Sequence, residues 1–149
     1  MRRSRYGLSV IELLVAIAVI GVLAGVGVTL LPRQGMAVDQ AQRIFASSVQ
    51  FARFEAIKRN VGIEVVFAVG QNAVVVSDQA GVVLRRFQLD PQGDRVTVKE
   101  ATPDASIEFN ARGVAVSPIS RSVVIGVVGS GAHDRRLTVS GQGSVRRAS

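Results

Sequence analysis

The chain opens on a run from which polar residues are almost absent. Between Leu8 and Leu31 the only polar side chains are Ser9, Glu12 and Thr29, and Leu13–Leu31 is nineteen residues without a charge. At 1.5 Å per residue such a helix reaches roughly 28 Å, close to the ~30 Å hydrocarbon core of a bilayer. Pro32 interrupts helical hydrogen bonding and marks a kink or a membrane exit. After Gly35 the period changes. Val38, Ala41, Ile44, Phe45, Ser48, Val49, Ala52 and Ala56 recur at three- and four-residue intervals, while Arg43, Gln50, Arg53, Lys58 and Arg59 fall largely elsewhere around the wheel. Asn60-Val61-Gly62 is a helix end, with Gly62 as the breaker. The pattern predicts one long helix from about Leu8 to Arg59, apolar on all sides in its first half and amphipathic in its second.

Beyond Gly62 the helical period disappears. Short β-branched runs take over at Ile63–Val69, Ala73–Ser77, Val82–Leu89, Val96–Lys99, Ser106–Phe109, Val114–Ser117, Val123–Val128 and Leu137–Ser140. Turn signals separate them, among them Gly70-Gln71-Asn72, Asp78-Gln79-Ala80-Gly81 and Asp90-Pro91-Gln92-Gly93-Asp94. Successive short strands with tight turns predict antiparallel pairing, with the apolar stripe of the helix buried on one sheet face. The fold class is α+β.

Charge sharpens this picture at the two ends. The net charge is +7, but residues 8–110 carry nine basic and ten acidic side chains and nearly balance. Arg2, Arg3 and Arg5 precede the apolar run, which places the amino terminus in the cytoplasm by the positive-inside rule. Residues 111–149 hold six arginines against one acid, Asp134. A secretory signal peptide is the rival for the amino end, but its apolar core spans 7–15 residues and ends in an Ala-x-Ala-like site. This run is longer and carries a carboxylate, so it reads as a retained membrane helix. The chain has no cysteine, which excludes disulfides and thiolate metal sites.

Glu12 is the oddity of the apolar run. An ionisable group at mid-helix costs about 2.5–3.5 kcal/mol on insertion scales, and less near the interface. Either it snorkels to the headgroups or it meets a counter-charge. The segment Gly7-Leu8-Ser9-Val10-Ile11-Glu12-Leu13-Leu14-Val15 resembles the class III leader junction of type IV pilins and type II secretion pseudopilins. It shares a short basic leader ending in Gly, a hydrophobic first mature residue, and Glu at the fifth mature position. The departure is Leu8, where the family usually has Phe. The resemblance implies cleavage after Gly7 by a prepilin peptidase, methylation of the new amino group on Leu8, and pairing of Glu12 with the amino terminus of a neighbouring subunit. A buried carboxylate needs such a partner. Gly21 and Gly25 stand in GxxxG spacing, either as a helix-packing face or as ordinary membrane-helix composition.

Two further segments narrow the branch. Ala52-Arg53-Phe54-Glu55-Ala56-Ile57-Lys58-Arg59-Asn60 is similar to the A-R-x-E-A-I-[KR]-R-N stretch of H-type minor pseudopilins and FimT minor pilins, and Phe109 to Gly113 resembles their F-x-x-x-G element. On the residues alone, Glu55 and Lys58 form an i,i+3 pair on a solvated face. Leu137 to Arg147 resembles the terminal hairpin of FimT-like proteins, where a G-R-x-R motif is linked to DNA binding. Here the corresponding residues are Gly143-Ser144-Val145-Arg146, so Ser144 replaces the first Arg, and Arg147 follows.

Catalysis finds no support in the residues. His133 is the only histidine, and no cysteine exists to complete a transition-metal site. Gly126, Gly129 and Gly131 lack the spacing and the Lys of a phosphate-binding loop, and Asp90 and Asp94 alone are too few for calcium. The chain reads as a non-enzymatic pilin fold with no cofactor and no metal. The resemblance implies a leader over residues 1–7, a transmembrane segment over 8–34, and a periplasmic α+β domain over 35–149. The implied function is that of a minor pilin or pseudopilin that primes or enters a type IV pilus or type II secretion pseudopilus. It would sit in the inner membrane as a single-pass protein, with its domain periplasmic or extracellular, and enter the filament on assembly. Implied partners are the prepilin peptidase, other pilin or pseudopilin subunits and the inner-membrane assembly platform. The alternative is a DNA-binding minor pilin acting in DNA uptake through Arg135, Arg136, Arg146 and Arg147.

Overall fold

The computed structural model describes residues 9–29, 33–93, 95–117, 119–131 and 133–148, and side chains other than those of 23–29 and 33–34. It divides into two units, Met1–Pro32 and Arg33–Ser149.

In the first unit, helix α1 spans Val10–Thr29. Its start follows from Ser9, whose carbonyl accepts the amides of Glu12 (2.9 Å) and Leu13 (3.1 Å). Ser9 and Glu12 have the Ser-x-x-Glu spacing of a capping box. Every described side chain from Ser9 to Val22 is exposed, although almost all are apolar. A helix hydrophobic all round needs another apolar environment. Among the described residues no helix is long and apolar enough to cross a membrane. The described side chains of α1 end at Val22, whereas the uncharged run continues to Leu31. Continuity of one helix through residues 30–32 lies outside the described residues.

In the second unit, helix α2 spans Arg33–Arg59. The expected stripe is its buried face: Val38, Ala41, Phe45, Ser48, Val49, Ala52 and Ala56 are fully buried, and Ile44 packs at the margin. The helix lies across two antiparallel sheets. The first has order β3-β2-β1-β5, with β1 at Ile63–Val66, β2 at Ala73–Asp78, β3 at Val83–Gln88 and β5 at Ser106–Phe109. The second has order β4-β6-β7-β8, with β4 at Val96–Thr102, β6 at Arg121–Val127, β7 at Arg135–Val139 and β8 at Val145–Arg147. Residues 70 and 71 stitch the sheets together, since Gly70 N donates to Val98 O (2.8 Å) and Val98 N to Gln71 O (3.0 Å). One core results, with Phe45 edge-on to Phe67 at 5.3 Å and Ile63, Ile107, Phe109, Ile125 and Leu137 around them.

Two expectations about strands need correction. Val114–Ser117 is not a strand; Ala115 makes a single bridge to Phe109, and Pro118, which has no amide hydrogen, follows directly. Conversely, Val145–Arg147 pairs with β7 as a short strand, too brief and too charged to show a period of its own.

One turn design occurs three times. In Asp78–Val82, Asn110–Val114 and Ser140–Ser144 the first residue's side-chain oxygen accepts the amides of the third and fifth residues, at 2.9–3.3 Å. The fourth residue is a glycine with φ of 80°, 70° and 77° respectively, at Gly81, Gly113 and Gly143. That left-handed conformation is open to glycine at no steric cost. The F-x-x-x-G element is therefore a core anchor, Phe109, followed by one of these turns.

Candidate functional site

The A-R-x-E-A-I-K-R-N stretch ends α2. Ala52 and Ala56 are buried, leaving room for the sheets to approach the helix. Glu55 is only 6% exposed, and its carboxylate accepts a 2.6 Å hydrogen bond from Arg59 Nε, with Lys58 at 3.6 Å. The hydrogen bond from Arg59 holds its carboxyl below the ordinary Glu value, aided by the two positive charges and opposed by burial. Asn60 closes the helix in a left-handed conformation, φ 55°, a role open to Asn because its short polar side chain tolerates it. The expectation of Glu55 and Lys58 on a solvated face is therefore half met: Lys58 is exposed, but Glu55 is not, and its closer partner is Arg59.

The arginines of residues 111–149 do not form one surface. Arg121 is buried on the helix side of β6, donating from Nη1 to Ile119 O (3.2 Å), with Nη2 3.9 Å from Asp104. The β7–β8 register sets Leu137 opposite Arg147 and Thr138 opposite Arg146. Side chains alternate along a strand, so Arg135 and Arg147 share the face of buried Leu137, and Arg136 and Arg146 share the solvent face. Arg135 is committed to Asp39 of α2 at 3.1 Å, and Arg136 lies 3.6 Å from Glu100. Arg147 joins Asp39, Gln42 and Arg43 around a shallow cleft of about 260 Å³. Ser144, standing where the relatives' motif has Arg, bonds its hydroxyl to that of Ser140 (2.8 Å) and serves the turn.

Of the remaining expected site residues, Gly7 and Leu8 lie outside the described residues. Glu12 is exposed in the first turn of α1, where the positive end of the helix dipole favours a carboxylate. Ser9, its capping-box companion, is a site residue that the leader motif does not single out, although the Ser-x-x-Glu spacing is a signal for it. His133 abuts Gly35, and Lys99 pairs with Asp134 at 2.8 Å. Among the described residues no group of three His, Cys, Asp or Glu side chains is placed to hold a metal.

This architecture of a helix packed on two antiparallel sheets has known counterparts. Residues 41–143 match the family of the type II transport protein GspH, and residues 2–28 match the prokaryotic N-terminal methylation motif. The chain belongs to the GspH family. Among its relatives, the pilin-like protein PilA1 of Thermus thermophilus is 33% identical over 162 residues, covering 96% of this chain and 98% of its own. The type IV minor pilin FimU of Pseudomonas aeruginosa superposes on this GspH-family chain with a TM-score of 0.60 at 20% identity, over 75% of this chain and 88% of its own. The minor pseudopilin EpsH of the Vibrio cholerae type 2 secretion system does so with 0.55 at 12% identity, over 75% and 96%. The pilin fold and the H-type branch read from the motifs are borne out.

Proposed function

We propose that this GspH-family chain is a minor pilin or pseudopilin, a structural subunit that primes or enters a type IV pilus or type II secretion pseudopilus. The observation that carries the reading is the union, in one chain, of the N-terminal methylation motif over residues 2–28 with the GspH domain over residues 41–143. Among the described residues the domain is filled by its own core, and several of its titratable groups form ion pairs between elements, such as Asp39–Arg135 and Lys99–Asp134, rather than a converging site. Its work is mechanical assembly, not catalysis.

In this reading residues 1–7 are a leader, and a prepilin peptidase cuts after Gly7 and methylates Leu8. Residues 8–34 hold the subunit in the inner membrane, and residues 35–149 form the periplasmic or extracellular domain. Glu12 then meets the new amino group of a neighbouring subunit at the assembly platform. Its exposure leaves it open to another chain, and residues 6–32 hold no Lys, Arg or His side chain to pair with it. The test is mass spectrometry of the chain purified from membranes, with co-sedimentation in sheared filaments. The expected species starts at N-methylated Leu8 and sediments with filaments. A chain that keeps Met1 in a host with active prepilin peptidase overturns the reading.

A further inference from the structure

The outward stripe of α2 changes character along its length. Gln40, Arg43, Ser47 and Gln50 give way, at the same four–three spacing, to Phe54, Ile57 and, past the helix end, Val61. These three are 62%, 51% and 41% exposed. Scattered exposed apolar residues need no explanation, but a contiguous patch on a stripe that is polar two turns earlier marks a contact surface. The Asn110–Val114 turn extends the patch. A Cβ on Gly113 would lie 2.7 Å from Ile57 Cδ1, and Val114 is itself 45% exposed. Within the A-R-x-E-A-I-K-R-N stretch, Ala52, Glu55, Ala56, Arg59 and Asn60 all have duties inside the domain. Phe54 has none, and Ile57 touches the Gly113 turn while leaving half of its surface open.

The rim of the patch is cationic. Arg53 and Arg112 are exposed beside Gly113, and Lys58 is exposed at the helix end. The carboxylate of the same helix turn, Glu55, is sunk beneath and already paired with Arg59 and Lys58, and Glu108, towards the Val61 end, accepts a hydrogen bond from Gln79. Two copies meeting through this patch about a two-fold axis would set these cations against each other. Their own net positive charge would oppose it further.

We propose that Phe54, Ile57, Val61 and the 110–114 turn form the docking face for a different pilin-like subunit, one whose contacting surface is apolar at its centre and acidic at its rim. The proposal rests on the filament reading and adds to it the face used and the charge of the partner. Phe54 is the anchor, being the largest exposed side chain of the patch, and the cations set orientation and select an acidic neighbour.

The test places the photo-reactive residue p-benzoyl-phenylalanine at position 54 of the full chain in its assembling host, with Gln40 as the control position. The expected result is an adduct from position 54, identified by mass spectrometry as a pilin-like subunit other than this chain. Its yield should be at least tenfold above that from position 40. Arg53→Glu with Arg112→Glu should cut it at least tenfold while leaving the thermal unfolding of the domain unchanged. An adduct between two copies, an adduct with a protein lacking the pilin fold, equal yields from both positions, or insensitivity to the charge reversal overturns the proposal. Co-sedimentation of the chain with filaments, read in the same samples, separates the two levels. Present in filaments without the adduct, the chain remains a pilin and only the docking face is wrong; absent from them, the filament reading itself fails.

Discussion

Gly81 and Gly143 occupy the same position of the same hairpin turn, with φ of 80° and 77°, yet their surroundings differ. Nothing lies within 4 Å of a Cβ built on Gly81, whereas one built on Gly143 would come 2.5 Å from Cε1 of Phe109, a fully buried core side chain. Alanine at Gly81 therefore meets only left-handed strain, about 1–2 kcal/mol. Alanine at Gly143 meets that strain plus overpacking against a ring that cannot move freely, a further ~1–3 kcal/mol. For a domain of about 120 residues the unfolding entropy makes 1 kcal/mol worth roughly 4 °C. Thermal unfolding of the 33–149 unit by circular dichroism should therefore lower Tm by about 4–8 °C for Gly81→Ala and about 8–20 °C for Gly143→Ala. Phe109→Leu combined with Gly143→Ala should be less destabilising than the two singles added together, because the smaller side chain relieves the clash. Tm shifts for the two alanine variants that agree within about 2 °C would refute the reasoning. They would mean that the terminal hairpin accommodates a Cβ without involving the core.

Other expectations concern charge. Glu12→Ala removes a carboxylate from an apolar run, so membrane insertion should be equal or better while recovery in sheared filaments falls; full recovery would reduce Glu12 to a bystander. Glu55, with its lowered pKa, adds stability that is complete above the unfolded-state carboxylate value of about 4.3 and is lost as the pH falls through the lower folded value. Glu55→Gln should accordingly narrow its stability gap to the parent in acid, and a gap constant from about pH 7 to about pH 3 would contradict the pairing with Arg59. Because Arg146 and Arg147 sit on opposite faces of the β7–β8 hairpin, labelled duplex DNA titrated against the domain should show no binding at moderate salt. Tight binding there that disappears in Arg146→Ala/Arg147→Ala would restore DNA uptake as a function.

Local rules acting on the sequence were enough for much of this protein. The three- and four-residue spacing from Val38 to Ala56 determined which face of α2 is buried, because any soluble helix must hide such a stripe. Around Gly7, Leu8 and Glu12 the sequence carries a resemblance to the leader junction of type IV pilins, and the Asp78, Asn110 and Ser140 turns follow from capping oxygens and glycines within five residues. What the sequence left open were relations between distant residues. Val114–Ser117 has strand composition but finds one bridging partner only, since pairing depends on a neighbouring edge as well as on propensity. Val145–Arg147 becomes a strand because β7 offers it a ladder. The clustered arginines of the carboxyl end looked like one surface in sequence, but strand alternation sends them to two faces, and Asp39, ninety-six positions away, claims Arg135. Glu55 likewise read as a surface charge until packing closed over it. Phe54 and Ile57 lie among helix residues of every kind, and only the position of the sheets decides that they face outward and remain uncovered.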